Sequence, residues 1–141
     1  MASTLNPYLN FRGNAREAME FYTSIFGGEL AINTFGDFHA SEDPSEQDKV
    51  MHAQLETASG YLFMGSDTPN HMDYAPGVNN FSVSISGDAD DDSELSGYFA
   101  KLAEGGTILQ PLAAAPWGAS FGMLQDRFGI TWLVNIAAPA A

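Results

Sequence analysis

His52, Gln54 and Glu56 fall at alternate positions of the run KVMHAQLET (49–57). Alternation of that kind is the period of a half-buried strand, which sends all three side chains to one side. An imidazole with a carboxylate nearby can act as a general base near neutral pH. An imidazole among amides can equally orient a ligand or brace the structure. Same-face neighbours stand about 6.6–6.8 Å apart along a strand, so Glu56 is about twice that far from His52, and the better partner for the imidazole lies on another strand. His39 and His71 sit in polar stretches and read as ordinary loop residues. No H-x-H or H-E-x-x-H arrangement occurs, and cysteine is absent. Thiolate-zinc sites, disulfides and a cysteine nucleophile are therefore excluded.

The elements that position these residues follow a repeated order. LNPYLNF (5–11) alternates as a first strand, with Pro7 marking an edge or a strand start. A helix follows. Asn14 is its expected cap, with Glu17 completing a capping-box pair, and Ala15, Ala18, Met19, Tyr22, Ile25 and Phe26 form its apolar stripe. Gly27-Gly28 ends it. ELAINTF (29–35) is a second strand, and GDFHASEDPSEQD (36–48) reads as a mobile loop. KVMHAQLET and YLFMGS (61–66) form a hairpin around Ser59-Gly60. DTPNHMDYAPG (67–77) is a Pro/Gly linker.

The order then recurs. NNFSVSIS (79–86) is a strand, and Asp88 or Asp90 caps a second helix whose stripe is Leu95, Tyr98, Phe99 and Leu102. Gly105-Gly106 stops it, 78 residues after the first glycine pair. TILQPL (107–112), ASFGMLQD (119–126) and ITWLVN (130–135) supply three more strands. The fold expected is α+β: two βαβββ modules, at about 5–66 and 79–135 with a linker at about 67–78, forming a curved mixed sheet with the helices on its outer face.

Strand parity separates the two faces. Leu5, Leu9 and Phe11, Met51, Ala53 and Leu55, and Phe81, Val83 and Ile85 are expected against the helices. The opposite set is Asn6, Tyr8 and Asn10, His52, Gln54 and Glu56, and Asn80, Ser82 and Ser84. Polar groups and aromatics converging on a concavity make a ligand site, whereas a merely wet sheet face is the plain alternative. Tyr8, Tyr61 and Phe63 are the expected aromatics of such a cup. Trp117 and Phe121 read as core or cup-rim aromatics, and Asn135 as a cup residue or as the tie that closes the final strand. Trp132 is expected to face the helices, opposite Leu133. Asp126 and Gly129 are expected to build the turn before the last strand.

The chain has 18 acidic residues against 5 basic ones, net charge −13. Such a surface repels phosphate backbones, so no nucleic-acid partner is expected. Ten of the acids fall in two clusters, Asp37–Asp48 and Asp88–Glu94, read as solvated faces or as an attraction for a cationic ligand. No apolar run of membrane-spanning length occurs. MASTLNPYLNF lacks a basic region followed by an apolar stretch. No membrane association is expected, and the expected compartment is the cytoplasm.

Three segments, LNPYLNFRGNAREAMEFYTSIFGGEL, MHAQL and WGASFGMLQDRFGITWLVN, resemble the PhnB-like branch of the vicinal oxygen chelate (VOC) superfamily. That superfamily includes glyoxalases, fosfomycin- and bleomycin-resistance proteins and extradiol dioxygenases. The resemblance runs roughly from Leu5 to Asn135. It implies a single VOC domain over 1–141, paired modules around a cup, and a homodimer. In metal-dependent members the ligands sit on the first and last strand of each module. Carried over, those positions are Asn6, Phe63 (Met64 if the alignment slips by one), Asn80 and Leu133. None is His, Asp or Glu, so no metal or other cofactor is expected, with a divalent metal held by other residues as the alternative. PhnB-like sequences often carry a demethylubiquinone methyltransferase label, yet no Gly-rich strand-to-helix fingerprint for a methyl-donor cofactor is present. The leading expectation is metal-free binding of a small molecule. The alternatives are a glyoxalase-like lyase or isomerase, or a dioxygenase-type enzyme, using an atypical metal site or His52 as base, and a dimeric scaffold without a ligand.

Overall fold

A computed structural model of the chain describes residues 5–75 and 81–139. It comprises two compact units, Met1–Ala75 and Pro76–Ala141. In the first, β1 (Tyr8–Phe11), α1 (Ala15–Phe26), β2 (Glu29–Thr34), β3 (Val50–Glu56) and β4 (Leu62–Asp67) follow in order. The second has β5 (Val83–Gly87), α2 (Asp92–Ala103), β6 (Thr107–Ala114), β7 (Ser120–Gln125) and β8 (Thr131–Ile136). Each unit builds its own four-stranded mixed sheet, in the orders β1-β4-β3-β2 and β5-β8-β7-β6. The first and last strands of each unit pair in parallel and the rest antiparallel. The α+β fold of two βαβββ modules is thus present, with its mixed sheet in two parts.

α1 buries all six residues of its stripe. Its N-terminus is held differently from the expectation. Asn14 makes no side-chain cap. Instead Asp67, at the end of β4, accepts the backbone N–H groups of Gly13 (2.7 Å) and Ala15 (3.0 Å) on Oδ1. Its Oδ2 accepts the Val50 N–H (2.9 Å). The carboxylate satisfies the first amide of α1 and one just before it, and faces the positive end of the helix dipole, a stronger arrangement than one asparagine carbonyl. α2 buries Leu95, Phe99 and Leu102. Tyr98 instead lies on the helix flank, its hydroxyl donating to Glu94 one turn back. Asp88 opens the short 3-10 turn (Ala89–Asp91) before α2, its N–H donating to the Asp91 carboxylate.

The duplication is visible in two devices. The hairpin turns match bond for bond. Thr57 N donates to Tyr61 O and Gly60 N to Thr57 O (both 3.0 Å), while Asp126 N donates to Ile130 O (2.8 Å) and Gly129 N to Asp126 O (3.0 Å). Gly60 and Gly129 both have positive φ, 91° and 87°. The second glycine of each helix-ending pair also lies flat on a strand end: a Cβ on Gly28 would collide with the Glu56 carbonyl, and one on Gly106 with the Gln125 carbonyl.

Some boundaries shift for physical reasons. Pro7 cannot donate to a ladder, so β1 starts at Tyr8, and Leu5 is fully exposed rather than packed. Phe81 precedes β5 and is 62% exposed; strand parity does not govern it. The 36–48 segment is pinned rather than loose. Asp43 opens a 3-10 turn at Pro44–Glu46, Ser41 donates to Glu46 (2.8 Å), and Gln47 donates to the Ser41 and Asp43 carbonyls.

Candidate functional site

The face of the first sheet turned away from α1 carries the predicted polar set, and the strand register orders it. Gln54 lies between Ala31 and Met64, and Met64 lies beside Tyr8. His52 is paired with Asn33, and Asn10 with Ser66. Glu56 stands between Glu29 and Leu62 at the open end. Tyr8, Asn10, His52, Gln54 and Glu56 therefore share one face.

Two of these residues are joined. The Tyr8 hydroxyl lies 3.1 Å from His52 Nδ1, with ring centroids 5.7 Å apart. β4 runs between the strands that carry them, so the phenol reaches across it. Glu56 is exposed and does not bond His52; the partner of the imidazole is a phenol from another strand, and among the described residues no carboxylate pairs with it.

Other predicted residues are placed elsewhere. Phe63 is buried beneath α1, edge-on to Tyr22 and Phe26, and Tyr61 is edge-on to Phe26. Their alternation with Leu62 and Met64 sends them to the helix side, where a large ring gains most by burial. Both leave the predicted ligand set. Asn6 donates its Nδ2 to the Leu62 carbonyl (3.1 Å) and ties the chain entering β1 to β4. Asn80 lies outside the described residues. Asn33 and Ser66 belong to the shared face and were missed, and Met64, named only as the slipped alternative to Phe63, belongs to it as well. Their signal was the cross-strand register, which alternation within single strands does not supply.

In the second unit Leu133 lies between Ser84 and Met123, and Asn135 between Ser86 and Phe121, on the face away from α2. Trp132 is buried on the other side, as parity expects. Ser82 is exposed ahead of β5. Trp117 is 69% exposed, its ring 6.4 Å from that of Phe121. Asp126 accepts the Phe128 and Ile130 N–H groups and the Trp132 indole N–H (2.8, 3.1 and 2.9 Å). The matched hairpin turns make Met64 the counterpart of Leu133 and Phe121 the counterpart of His52. The second sheet therefore repeats the frame of the first without its imidazole.

Each unit also has a hollow on its helix side. One, of about 400 Å³, lies at the α1 N-terminus among Arg16, Glu17, Glu20, Asp48 and Lys49. The other, of about 380 Å³, lies between α2 and β6 among Phe99, Ile108, Leu112 and Ile136. Neither is lined by a residue of the predicted set.

A family model described as 3-demethylubiquinone-9 3-methyltransferase matches residues 3–135. The chain belongs to this PhnB-like family. It is 40% identical to protein PA1353 of Pseudomonas aeruginosa, whose structure it matches with a TM-score of 0.82 over 98% of this chain and 100% of that one. It is 29% identical to a PhnB protein of Bacillus cereus, with a TM-score of 0.71 over 96% and 100%. A glyoxylase/bleomycin resistance protein/dioxygenase domain from Frankia sp. EAN1pec shares the fold at 14% identity, with a TM-score of 0.62 over 100% and 96%. The PhnB-like branch of the VOC fold stands on these likenesses.

Of the four positions that the resemblance carried over for metal ligands, Asn80 lies outside the described residues and Phe63 is buried beneath α1, which leaves Asn6, Leu133 and, under the one-residue slip, Met64. One amide already bonded through its nitrogen and two apolar side chains do not fit a divalent cation. Among the described residues, no three His, Asp or Glu side chains come together in a group that could hold a metal ion. Nor does a helix of the described residues cross a membrane: none is long and apolar enough.

Proposed function

We propose that this PhnB-like protein binds a small molecule against the face that carries Tyr8 and His52, and does so without a metal ion. The observation that carries the reading is the Tyr8–His52 hydrogen bond. It fixes an imidazole on a face whose neighbours are the amides of Asn10, Asn33 and Gln54 and the thioether of Met64. Directional polar groups beside apolar surface are what a small-ligand site needs. The donor set at the inherited metal positions supports the metal-free part.

The methyltransferase description of the family model finds no support in either helix N-terminus. The Asp67 carboxylate already occupies the start of α1, accepting the Gly13 and Ala15 N–H groups, and α2 begins amid Asp88, Asp90, Asp91 and Asp92. Negative charge at each helix start disfavours docking of a phosphate- or carboxylate-bearing cofactor there.

In this reading the protein is a cytoplasmic homodimer. Exposed Ile108, Leu109 and Trp117 in the second unit support association, and the cysteine-free sequence suits a reducing compartment.

Metal analysis and native mass spectrometry of protein purified without chelator test the proposal together. The expected result is sub-stoichiometric metal and a retained or added small molecule that His52→Ala releases. Stoichiometric divalent metal bound through side chains of this face would overturn the metal-free reading. Turnover of a glyoxalase- or dioxygenase-type substrate that is abolished in His52→Ala would establish the enzymatic alternative instead.

A further inference from the structure

The Tyr8–His52 contact bears on which nitrogen of the ring carries the proton. A neutral imidazole has one N–H and one bare nitrogen, and the partner of one nitrogen fixes the state of the other. A phenol is a good donor and a poor acceptor, while the bare imidazole nitrogen is among the best side-chain acceptors. At 3.1 Å the complementary alignment is Tyr8 O–H donating to Nδ1. The ring proton then sits on Nε2. No described residue bonds Nε2. Among the described residues no buried side-chain nitrogen or oxygen lacks a partner, so Nε2 is open to solvent.

We infer that Tyr8 is a positioning residue that locks His52 as a fixed Nε2–H donor, and that the face therefore selects a ligand with an acceptor atom, such as a carbonyl oxygen, at that point. The inference rests on the binding reading above and narrows its ligand class. A ring whose basic nitrogen is already bonded is a poor general base. The chain's net charge of −13 further favours an uncharged acceptor over an anion. The groups facing the ring are neutral, Asn33 from β2 by pairing and Asn10 and Ser66 from β1 and β4; the nearest carboxylate on its own strand face is Glu56.

The test is long-range ¹H–¹⁵N correlation NMR of the imidazole rings in the full-length labelled protein, in mildly alkaline buffer where an unperturbed imidazole is neutral. His39 and His71 serve as internal references, and His52→Gln assigns the His52 signals by their loss. The expected wild-type spectrum has His52 in a single Nε2–H tautomer, with the Nδ1 shift of an accepted hydrogen bond. In Tyr8→Phe that shift is lost, and His52 moves toward the tautomer average of the two reference rings. A wild-type proton on Nδ1, or a His52 spectrum unchanged by Tyr8→Phe, overturns the inference. The wild-type spectrum alone decides if the variant folds poorly. The expected tautomer in a protein that retains no small molecule would instead count against the binding reading and leave the lock intact.

Discussion

Asp67 on β4 and Ala15 at the start of α1 are joined by a 3.0 Å hydrogen bond from the Ala15 N–H to Oδ1, and the same carboxylate also takes the N–H groups of Gly13 and Val50. One buried side chain, 3% exposed, thereby fastens the helix to the last strand and to the start of β3, the strand that carries His52. Asp67→Ala should destabilise the protein by about 3 kcal/mol, because it strands backbone donors in the interior. Asp67→Asn, which keeps one carbonyl acceptor, should lose less. Urea unfolding checks both. A loss within about 0.5 kcal/mol for the alanine variant, the range of an unremarkable surface change, would contradict the assigned role.

The matched glycine pairs make a symmetrical prediction. A Cβ at Gly28 meets the Glu56 carbonyl, and a Cβ at Gly106 meets the Gln125 carbonyl. These are backbone atoms held in strand ladders, which cannot swing aside. Gly28→Ala and Gly106→Ala should each cost about 2–4 kcal/mol, with Gly28 paying an added penalty for its positive φ of 94°. Gly97, which has open space around it, should tolerate alanine. Thermal melts of the three variants read the difference directly.

The two tryptophans report separately on surface and core. Trp117 is largely exposed, whereas Trp132 is 2% exposed and donates its indole N–H to Asp126. Trp117→Phe should remove the quencher-accessible part of the fluorescence and leave a blue-shifted remainder. Asp126→Ala should redden that remainder and destabilise the fold by about 2–3 kcal/mol, since it frees three donors at once. Acrylamide quenching and emission spectra separate the two outcomes.

Acid should loosen the 36–48 segment. The Asn70 backbone N–H, and after it the Ser41 hydroxyl, hold Glu46 below the ordinary glutamate range. Ser45, through hydroxyl and backbone, does the same for Asp43, aided by the Asn70 amide. Groups whose pKa falls on folding contribute stability that is complete above their unfolded values, about 4 for these carboxylates. That contribution is lost as the pH falls through the lower folded values. Hydrogen exchange of the amides of 36–48 and of Asn70 should therefore quicken, relative to the α1 core, as the pH drops below about 4. Glu46→Gln should reduce that pH dependence and leave the part carried by Asp43. An unchanged profile in the variant would rule the carboxylate out as the fastening.

The two modules, their helices and the order of elements along the chain were legible in the sequence because each rests on local signals: alternation, the 3.6-residue stripe and paired glycines. The caps and faces were less so. Asn14 looked like the helix cap, but the cap is Asp67, more than fifty positions later, which no local pattern marks. Tyr61 and Phe63 were read as site aromatics by type, whereas their alternation with Met64 places them under α1. His52 was legible as the chemical centre of its strand. Its partner Tyr8 lies across an intervening strand, and only the folded register brings the two together.

The most direct test of the central claim is amide and side-chain shift mapping on ¹⁵N-labelled full-length protein. It would be titrated with a library of small uncharged and cationic carbonyl-bearing molecules, with and without a chelator. The account expects the strongest binders to move Tyr8, Asn10, Asn33, His52 and Gln54, to be unaffected by chelator, and to weaken at least tenfold in His52→Ala. Binders that shift only the residues around Arg16 and Lys49, or whose binding vanishes with chelator, would contradict it.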